Sequence, residues 1–155
     1  MKKLFYYETP IGKLGIAEEY GFLTNIYFMN AKQPLDAKLY ETETIKETFN
    51  QLCEYFRGDR KEFDIPLNPS GTDFQQTVWS ELLNIPYGKT RTYKDISKEL
   101  GDEKAVRATG NACNKNPIPI IIPCHRVLGS DGSLTGYAGG TEIKQKLLKL
   151  EGCLY

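Results

Sequence analysis

The chain has 155 residues, of which 40% are hydrophobic and 26% charged, and its 20 basic side chains balance its 20 acidic ones. This composition is typical of a globular protein with one domain or a small pair of domains. It excludes a membrane-spanning helix, because no run approaches the ~20 apolar residues that a bilayer requires. The start, MKKLFYYETPIG, lacks the apolar region of a signal peptide. We therefore expect a cytoplasmic protein without membrane contacts.

Cysteine and histidine usage argues against a metal site. The four cysteines form no C-x-x-C motif and the chain has one histidine, which leaves no convincing ligand set for zinc. We expect free thiols, with two disulfides as the alternative. The cysteines are Cys53, Cys113, Cys124 and Cys153.

The zero net charge conceals a gradient along the chain. Residues 1–69 contain nine basic and eleven acidic side chains, whereas residues 70–155 contain eleven and nine. The window 104–126 holds four basic residues and no acidic one: Lys104, Arg107, Lys115 and Arg126. By charge alone, this window fits a solvated basic surface as well as it fits a phosphate-binding patch.

Short runs of strand length fill the first third of the chain, with turn signals at 9–12 and 19–21. In residues 42–57 the apolar side chains change to three- and four-residue spacing, which predicts an amphipathic helix ending at Gly58. Two prolines at 66 and 69 then indicate a linker. These features predict one domain at 1–68 and a second at 69–155.

The second part is predicted to be mostly helical. Thr72 or Asp73 is expected to cap a helix through FQQTVWSELLNI. Thr92 is expected to cap a shorter helix, YKDISKEL, which ends at Gly101. Asp102 is then expected to cap EKAVRATGNACNKN. Two short helices joined by Gly-Asp are typical of a helix-turn-helix.

Two further elements are predicted towards the C-terminus. Residues 121–137 contain a strand–turn–strand signal around Ser130-Asp131-Gly132. Thr141 is expected to cap a last helix, EIKQKLLKLEG.

The second helix of the predicted pair is unusually thin, because small residues dominate it and Arg107 is its one long cation in the middle. A helix of small side chains can approach a DNA minor groove, which is only about 6 Å wide. Small residues also permit tight helix–helix packing. Taken alone, this pattern favours packing.

The segment NPIPIIIPCHRV brings the only histidine next to a cysteine at the end of an apolar run. A thiolate is the reactive form of cysteine, and His125 is a candidate base for Cys124. The run is predicted to be a strand, in which successive side chains point to opposite faces. We therefore expect a bridging water or a local turn between them. An isolated Cys-His pair favours a structural role. A carboxylate near the end of the chain, such as Glu151, is a candidate for orienting the base, but sequence alone does not select it.

Several motifs together resemble one family. NPIPIIIPCHRVLGSDGSLTGYAGGTEIKQKLLKLEG is similar to the active-site segment of the 6-O-alkylguanine-DNA alkyltransferases. GTDFQQTVWSELLNIPYGKTRTYKDIS and AVRATGNACNKNP extend the similarity upstream, and the N-terminal part resembles the family more loosely. The resemblance implies an α+β protein. A small ribonuclease-H-like α/β domain would precede a winged helix-turn-helix alkyltransferase domain.

The resemblance also implies the roles of individual residues. Cys124 corresponds to the alkyl acceptor, His125 to the base that takes its proton through a water, and Glu151 to the carboxylate that orients this base. Tyr93 corresponds to the tyrosine that helps to flip the damaged base and donates a proton or hydrogen bond to guanine N3. Asn116 corresponds to the asparagine that ties the active-site turn together.

DNA contacts and pocket walls are implied in the same way. Arg107 corresponds to the finger that fills the gap left in the base stack. The other DNA contacts are expected from Tyr93, Lys104, Ala108 and Thr109. The residues that the resemblance places in the substrate pocket are Pro119, Val127, Tyr137 and Ala138. Cys113 is added because it lies on the predicted DNA-facing helix. At Ala138 some relatives have serine, so only a backbone contact is expected there.

The resemblance implies a DNA repair protein that moves an alkyl group from 6-O-alkylguanine to its own cysteine, once per molecule. No cofactor and no metal are expected, the partner is double-stranded DNA, and the protein is expected to be a monomer. Activity on 4-O-alkylthymine and the range of alkyl groups stay open. A lesion-binding module without transfer is the main alternative, and a cysteine hydrolase is a weaker one.

Overall fold

The computed structural model describes residues 1–134 and 136–153. The chain divides into two compact units, Met1–Ser70 and Gly71–Tyr155, two residues beyond the predicted boundary. The first unit contains a sheet and one long helix, and the second is mostly helical, so the expected α+β class is confirmed. Among the described residues, no helix has the length and apolar character needed to cross a membrane.

The first unit is a four-stranded sheet with one helix. Its elements are β1 (Lys3–Thr9), β2 (Gly12–Glu19), β3 (Phe22–Phe28), β4 (Lys38–Leu39) and α1 (Glu43–Phe56). The strand order is β3-β2-β1-β4, with antiparallel hairpins between β1, β2 and β3 and a parallel pairing of β4 with β1. Tyr20 and Gly21 both have positive φ, which gives the β2–β3 hairpin the twist it needs. The predicted strands, turns and helix are confirmed.

The second unit begins with α2 (Asp73–Leu82), whose start is fixed by a reciprocal cap. The Thr72 side chain accepts from the Gln75 backbone N–H, and the Gln75 side chain accepts from the Thr72 backbone N–H. The residue before the cap is Gly71, where a Cβ would lie 2.4 Å from the Trp79 ring. Close packing of the indole therefore requires glycine at 71.

Two short helices, α3 (Tyr93–Glu99) and α4 (Val106–Asn114), form the predicted helix-turn-helix. Thr92 caps α3, and Gly101 turns the chain with a φ of 86°. The predicted start of α4 at Asp102 was wrong. The Asp102 carboxylate instead accepts from the Lys104 N–H at 3.0 Å, which stabilises a separate turn, and α4 begins at Val106 without a side-chain cap.

Interior hydrogen bonds tie α4 to its neighbours. Trp79 Nε1 on α2 donates to the Ala112 carbonyl at 2.8 Å. The hydroxyls of Ser97 on α3 and Thr109 on α4 lie 3.0 Å apart, and both side chains are fully buried. The small residues of α4 thus permit close helix packing, as the thin pattern favoured.

The apolar segment before the Cys-His pair is a series of turns, so its prediction as a strand was wrong. Ile120 has a φ of 75°, which is rare for a β-branched residue, and Ile122 N–H donates to the Ile118 carbonyl at 3.0 Å. Cys124–Arg126 form a short 3₁₀ helix. β6 (Val127–Leu128) follows and pairs in parallel with β5 (Arg91–Thr92). The chain therefore turns at the pair, one of the two expected alternatives.

The predictions for 129–141 were only partly correct. A turn forms at 129–133, closed by the Gly132 N–H donating to the Gly129 carbonyl at 2.9 Å, but no second strand follows in the described residues. α5 spans Thr141–Leu150, and Gly140, with a φ of 93°, is its N-cap. Thr141 is the first helical residue, so its prediction as the cap was wrong.

Thr72, which caps α2, and Thr141, the first residue of α5, provide a test of the two cap assignments. Thr72→Ala should lower the free energy of unfolding by about 1 kcal/mol, because it leaves a helix N-terminal N–H without its acceptor. Thr141→Ala changes a residue after the cap and should stay within about 0.5 kcal/mol. Urea unfolding of both variants measures the difference. Equal losses would contradict the assignment of Gly140 as the cap of α5.

Candidate active site

The buried side chain of Asn116 organises the turns that lead to Cys124. Its Nδ2 donates to the Ile122 carbonyl at 2.7 Å and to Cys124 Sγ at 3.2 Å. Its Oδ1 accepts from the Ile118 N–H at 2.9 Å. One amide thus holds both ends of the Ile118–Ile122 turn, including the strained Ile120, and contacts the thiol directly.

Cys124 is buried, with 4% of its surface exposed. Burial raises the pKa of its thiol to about 11, while the Asn116 hydrogen bond and the charge of Lys144 act in the opposite direction. The resting form near neutral pH is therefore the thiol. A reaction that uses this sulfur as a nucleophile needs a base to remove the proton.

The His125 side chain is fully buried and joined to a carboxylate. Its Nε2 lies 2.7 Å from Glu151 Oε2. Its Nδ1 is also buried and has no hydrogen-bond partner in the part of the chain that the structure describes. Burial lowers the pKa of His125, and the Glu151 hydrogen bond opposes that shift. A neutral imidazole with one nitrogen available for a proton is the state that these contacts favour.

Arg126 completes this cluster, and the sequence analysis assigned it no role. Its Nε donates to Glu151 Oε1 at 2.8 Å and its Nη2 to Oε2 at 3.0 Å, while Nη1 donates to the Ile85 carbonyl at 2.7 Å. Only 6% of the residue is exposed. As one of the four cations of the window 104–126, it was counted towards a basic surface. Nothing in the sequence shows that the 3₁₀ helix turns it inward.

Lys144 is a second buried cation that the sequence analysis missed. It is fully buried on α5, and its Nζ donates to the Val127 carbonyl at 2.6 Å. The same Nζ lies 5.7 Å from the centroid of the Tyr93 ring. Helical spacing was the available signal, because Lys144 precedes the buried Leu147 and Leu148 by three and four residues.

Tyr93 lies at the start of α3, half-buried between α4 and the loop after 135. A Cβ at Gly110 would lie 3.9 Å from the Tyr93 ring, and a Cβ at Gly136 would lie 3.3 Å from its hydroxyl. Burial raises the pKa of this phenol, and the neighbouring thiols of Cys113 and Cys124 raise it further. Tyr93 therefore stays protonated and can donate a hydrogen bond.

The predicted DNA-contacting residues of the helix-turn-helix divide into exposed and buried ones. Lys104, Arg107 and Ala108 are exposed. Thr109 is fully buried against Ser97, which excludes a direct contact of its side chain with DNA. The hydroxyl of Thr109 joins α3 to α4 instead, so only its backbone stays a predicted DNA contact.

The predicted pocket residues are also mixed in exposure. Ala138 is exposed, whereas the other four are buried: Cys113, Pro119, Val127 and Tyr137. Burial raises the pKa of Cys113, and the charge of Lys144 opposes this effect, as it does at Cys124. The described cysteines are all free thiols. In residues 1–134 and 136–153, no group of three or more His, Cys, Asp or Glu side chains could hold a metal ion.

A helix-turn-helix is a motif of DNA-binding proteins, and here it adjoins a buried thiol and a histidine–carboxylate pair. Two family models match the chain. Residues 3–69 match the ribonuclease-like domain of 6-O-methylguanine DNA methyltransferase, and residues 73–153 match its DNA binding domain. The chain belongs to the 6-O-methylguanine DNA methyltransferase family, as the resemblance indicated.

Individual relatives extend over nearly the whole chain. A methylated-DNA–protein-cysteine methyltransferase of Methanosarcina acetivorans is 49% identical over 94% of this chain and 96% of its own. The constitutive enzyme of Bacillus subtilis is 47% identical over 96% and 94%. A crystal structure of Mycobacterium tuberculosis OGT in complex with DNA is 43% identical, with a TM-score of 0.91 over 96% of this chain and 92% of that one.

The Asn116 contacts give a prediction about stability. Asn116→Ala removes the partners of the buried Ile118 N–H and Ile122 carbonyl, at a cost of about 1–3 kcal/mol for each group. We expect a loss of about 2–4 kcal/mol in the free energy of unfolding, measured in urea. Asn114→Ala, at an exposed position two residues earlier, should change it by less than about 0.5 kcal/mol. Similar effects at the two positions would contradict the organising role of Asn116.

Proposed function

We propose that this protein repairs DNA by transferring the alkyl group of 6-O-alkylguanine to Sγ of its own Cys124. The observation that carries the proposal is the buried Cys124–His125–Glu151 arrangement, within a unit that contains a helix-turn-helix. Relatives at 47–49% identity are named methylated-DNA–protein-cysteine methyltransferases, which supports the same reaction class.

The first step is removal of the thiol proton. His125 Nδ1 accepts the proton of Cys124 through a water, and Glu151 stabilises the imidazolium that forms. The support is the 2.7 Å contact between His125 Nε2 and Glu151 Oε2, together with the buried, available Nδ1. The Asn116 donor at 3.2 Å from Sγ stabilises the thiolate.

The second step is a displacement at the alkyl carbon. The S–C bond forms as the C–O6 bond breaks, and the electron pair moves onto the guanine. Tyr93 donates a hydrogen bond or proton to guanine N3, which its raised pKa permits at neutral pH. Overall, the alkyl group moves from O6 to Sγ, and the thiol proton that His125 accepted is the one that guanine gains. Where Tyr93 gives its own proton to guanine, the proton from His125 restores the phenol.

The product is a thioether, which is a poor leaving group. Each molecule is therefore expected to act once. All groups of the reaction come from one chain and no cofactor takes part, which is consistent with a monomer. The free thiols suit a reducing compartment such as the cytoplasm.

Double-stranded DNA is the proposed partner, bound through the helix-turn-helix. Lys104, Arg107 and Ala108 are exposed on or beside α4. The alkylated base is flipped out of the duplex, because its alkyl carbon is inaccessible in the stack. Arg107 fills the gap, and the pocket for the base is lined by Cys113, Pro119, Val127, Tyr137 and the backbone of Ala138. The residues 69–155 are proposed as the domain for binding and transfer, and 1–68 as a separate domain.

Incubation with a duplex that contains 6-O-methylguanine tests the proposal. The intact protein should gain the mass of one methyl group, and peptide mapping should locate it at Cys124. Further substrate should produce no second modification, because the acceptor is consumed. A duplex with 4-O-methylthymine, run in parallel, measures whether the pocket accepts that base.

Two cysteine variants are the controls. Cys124→Ala should bind the lesion but gain no methyl group, and Cys53→Ala, in the other unit, should react like the wild type. An unmodified Cys124 after prolonged incubation, with lesion binding retained, would favour the lesion-binding module instead. Steady turnover of an ester substrate would favour a hydrolase.

The hydroxyl of Tyr93 gives a separate prediction. Tyr93→Phe keeps the ring that packs near Lys144 and Gly110 but removes the donor to N3. Single-turnover transfer should slow by about 10²-fold, a typical effect of a proton donor, while affinity for the duplex stays within about twofold. Tyr20→Phe, at an exposed turn, should transfer at the wild-type rate. An unchanged rate in Tyr93→Phe would remove the donor role.

A further inference from the structure

The carboxylate of Glu151 is held by the same cation at both of its oxygens. Arg126 Nε donates to Oε1 at 2.8 Å and Nη2 to Oε2 at 3.0 Å. The Gly88 N–H also donates to Oε1 at 3.3 Å. Since Nη1 is bound to the Ile85 carbonyl at 2.7 Å, all three guanidinium nitrogens have fixed partners. Neither Arg126 nor Glu151 can rotate without losing several buried contacts.

This clamp, formed by Arg126 on both oxygens of Glu151, determines which ring nitrogen of His125 carries the hydrogen. A carboxylate that accepts two hydrogen bonds from a guanidinium stays ionised and acts only as an acceptor. Its Oε2 lies 2.7 Å from His125 Nε2, so Nε2 must be the nitrogen that bears a hydrogen. In the neutral ring, Nδ1 then holds the lone pair.

The clamp also limits the charge that Glu151 presents to the imidazole. An unpaired carboxylate at this distance in a buried site would stabilise imidazolium strongly, and imidazolium cannot accept the thiol proton. The Arg126 cation, paired with both oxygens, offsets that charge. His125 is thereby oriented by a carboxylate without being protonated by its field.

We infer that Arg126 is a positioning residue for the alkyl transfer: by binding both oxygens of Glu151, it keeps His125 as the neutral Nε2–H tautomer, with Nδ1 as the acceptor. This role rests on the proposed function, because it concerns the base of that reaction. Arg126 would act on the reaction only through Glu151, by controlling whether His125 Nδ1 is available to accept the thiol proton.

The other charged group that acts on His125 is Lys144 on α5. Its charge, like that of Arg126, lowers the pKa of His125, and Glu151 is the group that raises it. Three further titratable groups adjoin the cluster and are neutral near pH 7, since burial raises the pKa of each: Tyr87, Cys124 and Cys153. Burial is the largest influence and lowers the pKa of His125, so removing Arg126 takes away one of the two cations that oppose Glu151, and His125 should protonate at higher pH than in the wild type.

Because His125 is the only histidine, a ¹⁵N-histidine label gives the ring signals of one residue. In the wild-type protein without DNA at pH 7, we expect the neutral Nε2–H pattern and a titration midpoint below the ordinary histidine value. An imidazolium or Nδ1–H pattern would overturn the inference. This measurement needs no variant and no alkyl transfer, so its result is independent of the test of the proposed function.

The variant test uses Arg126→Gln and Arg126→Lys. In Arg126→Gln the midpoint should rise by about one pH unit or more, as expected for an opposite charge that loses its counter-ion. Arg126→Lys keeps a positive charge beside Glu151, so the His125 midpoint should rise by less than in Arg126→Gln. Arg126→Gln/Glu151→Gln removes both charges and should return the midpoint to the wild-type value or below it. Arg57→Gln, at an exposed arginine paired with Asp59, should titrate like the wild type.

The pH profile of single-turnover transfer separates positioning from structural damage. The Arg126→Gln rate should be reduced relative to the wild type at pH values below the new midpoint and should recover towards the wild-type rate as pH rises past it. A loss of the same factor at every pH, or a wild-type midpoint in both Arg126 variants, would overturn the inference. If Arg126→Gln does not fold, the His125 midpoint in Arg126→Lys and the His125 tautomer in the wild-type protein test the inference.

Discussion

The buried carboxylate of Glu151 is the constraint on which the second unit depends. A carboxylate out of water destabilises a fold unless it is paired and hydrogen-bonded. Here the 3₁₀ helix supplies His125 and Arg126, and the loop at 85–88 supplies the Gly88 N–H, so both segments must converge on the residue that follows α5. The Ile85 carbonyl of the same loop holds Arg126 in place. Breaking such a pair typically costs about 3–5 kcal/mol. The groups that orient the base of the proposed reaction are therefore also a condition for folding.

The 3₁₀ helix explains how adjacent residues serve one site. In a strand, His125 and Arg126 would point to opposite faces. A 3₁₀ helix advances about one third of a turn per residue, so consecutive side chains can both point inward. Both residues then contact Glu151. The left-handed Ile120 belongs to the same arrangement, since such strain persists only where surrounding contacts, here those of Asn116, maintain it.

Sequence reasoning succeeded where the signal was local. Turns, helix periodicity and the caps at Thr72 and Thr92 depend on residues within four positions of each other. It failed where distant contacts decide between local options. The hydroxyl of Thr109 pairs with Ser97, twelve residues away. Asp102 was misjudged at short range instead, because it closes a turn with the Lys104 N–H, two residues on, and does not start α4. Glu151 was one candidate carboxylate that only the resemblance selected, and Arg126 was not identified because its partner is 25 residues away.

The buried charges of the second unit also suit the proposed displacement. Among its described residues the buried ionic side chains, apart from His125, are Arg126, Lys144 and Glu151. When both cations are charged, they carry one more unit of charge than Glu151 neutralises. Because Arg126 is paired with Glu151, the remaining positive charge is that of Lys144, which acts to lower the pKa of the Cys113 and Cys124 thiols. The reaction begins with negative charge on sulfur and moves it to the departing guanine. Burial lowers the pKa of Lys144. In its charged form, its Nζ near the Tyr93 ring suits the proposed displacement, because its position requires no reorganisation during the transfer.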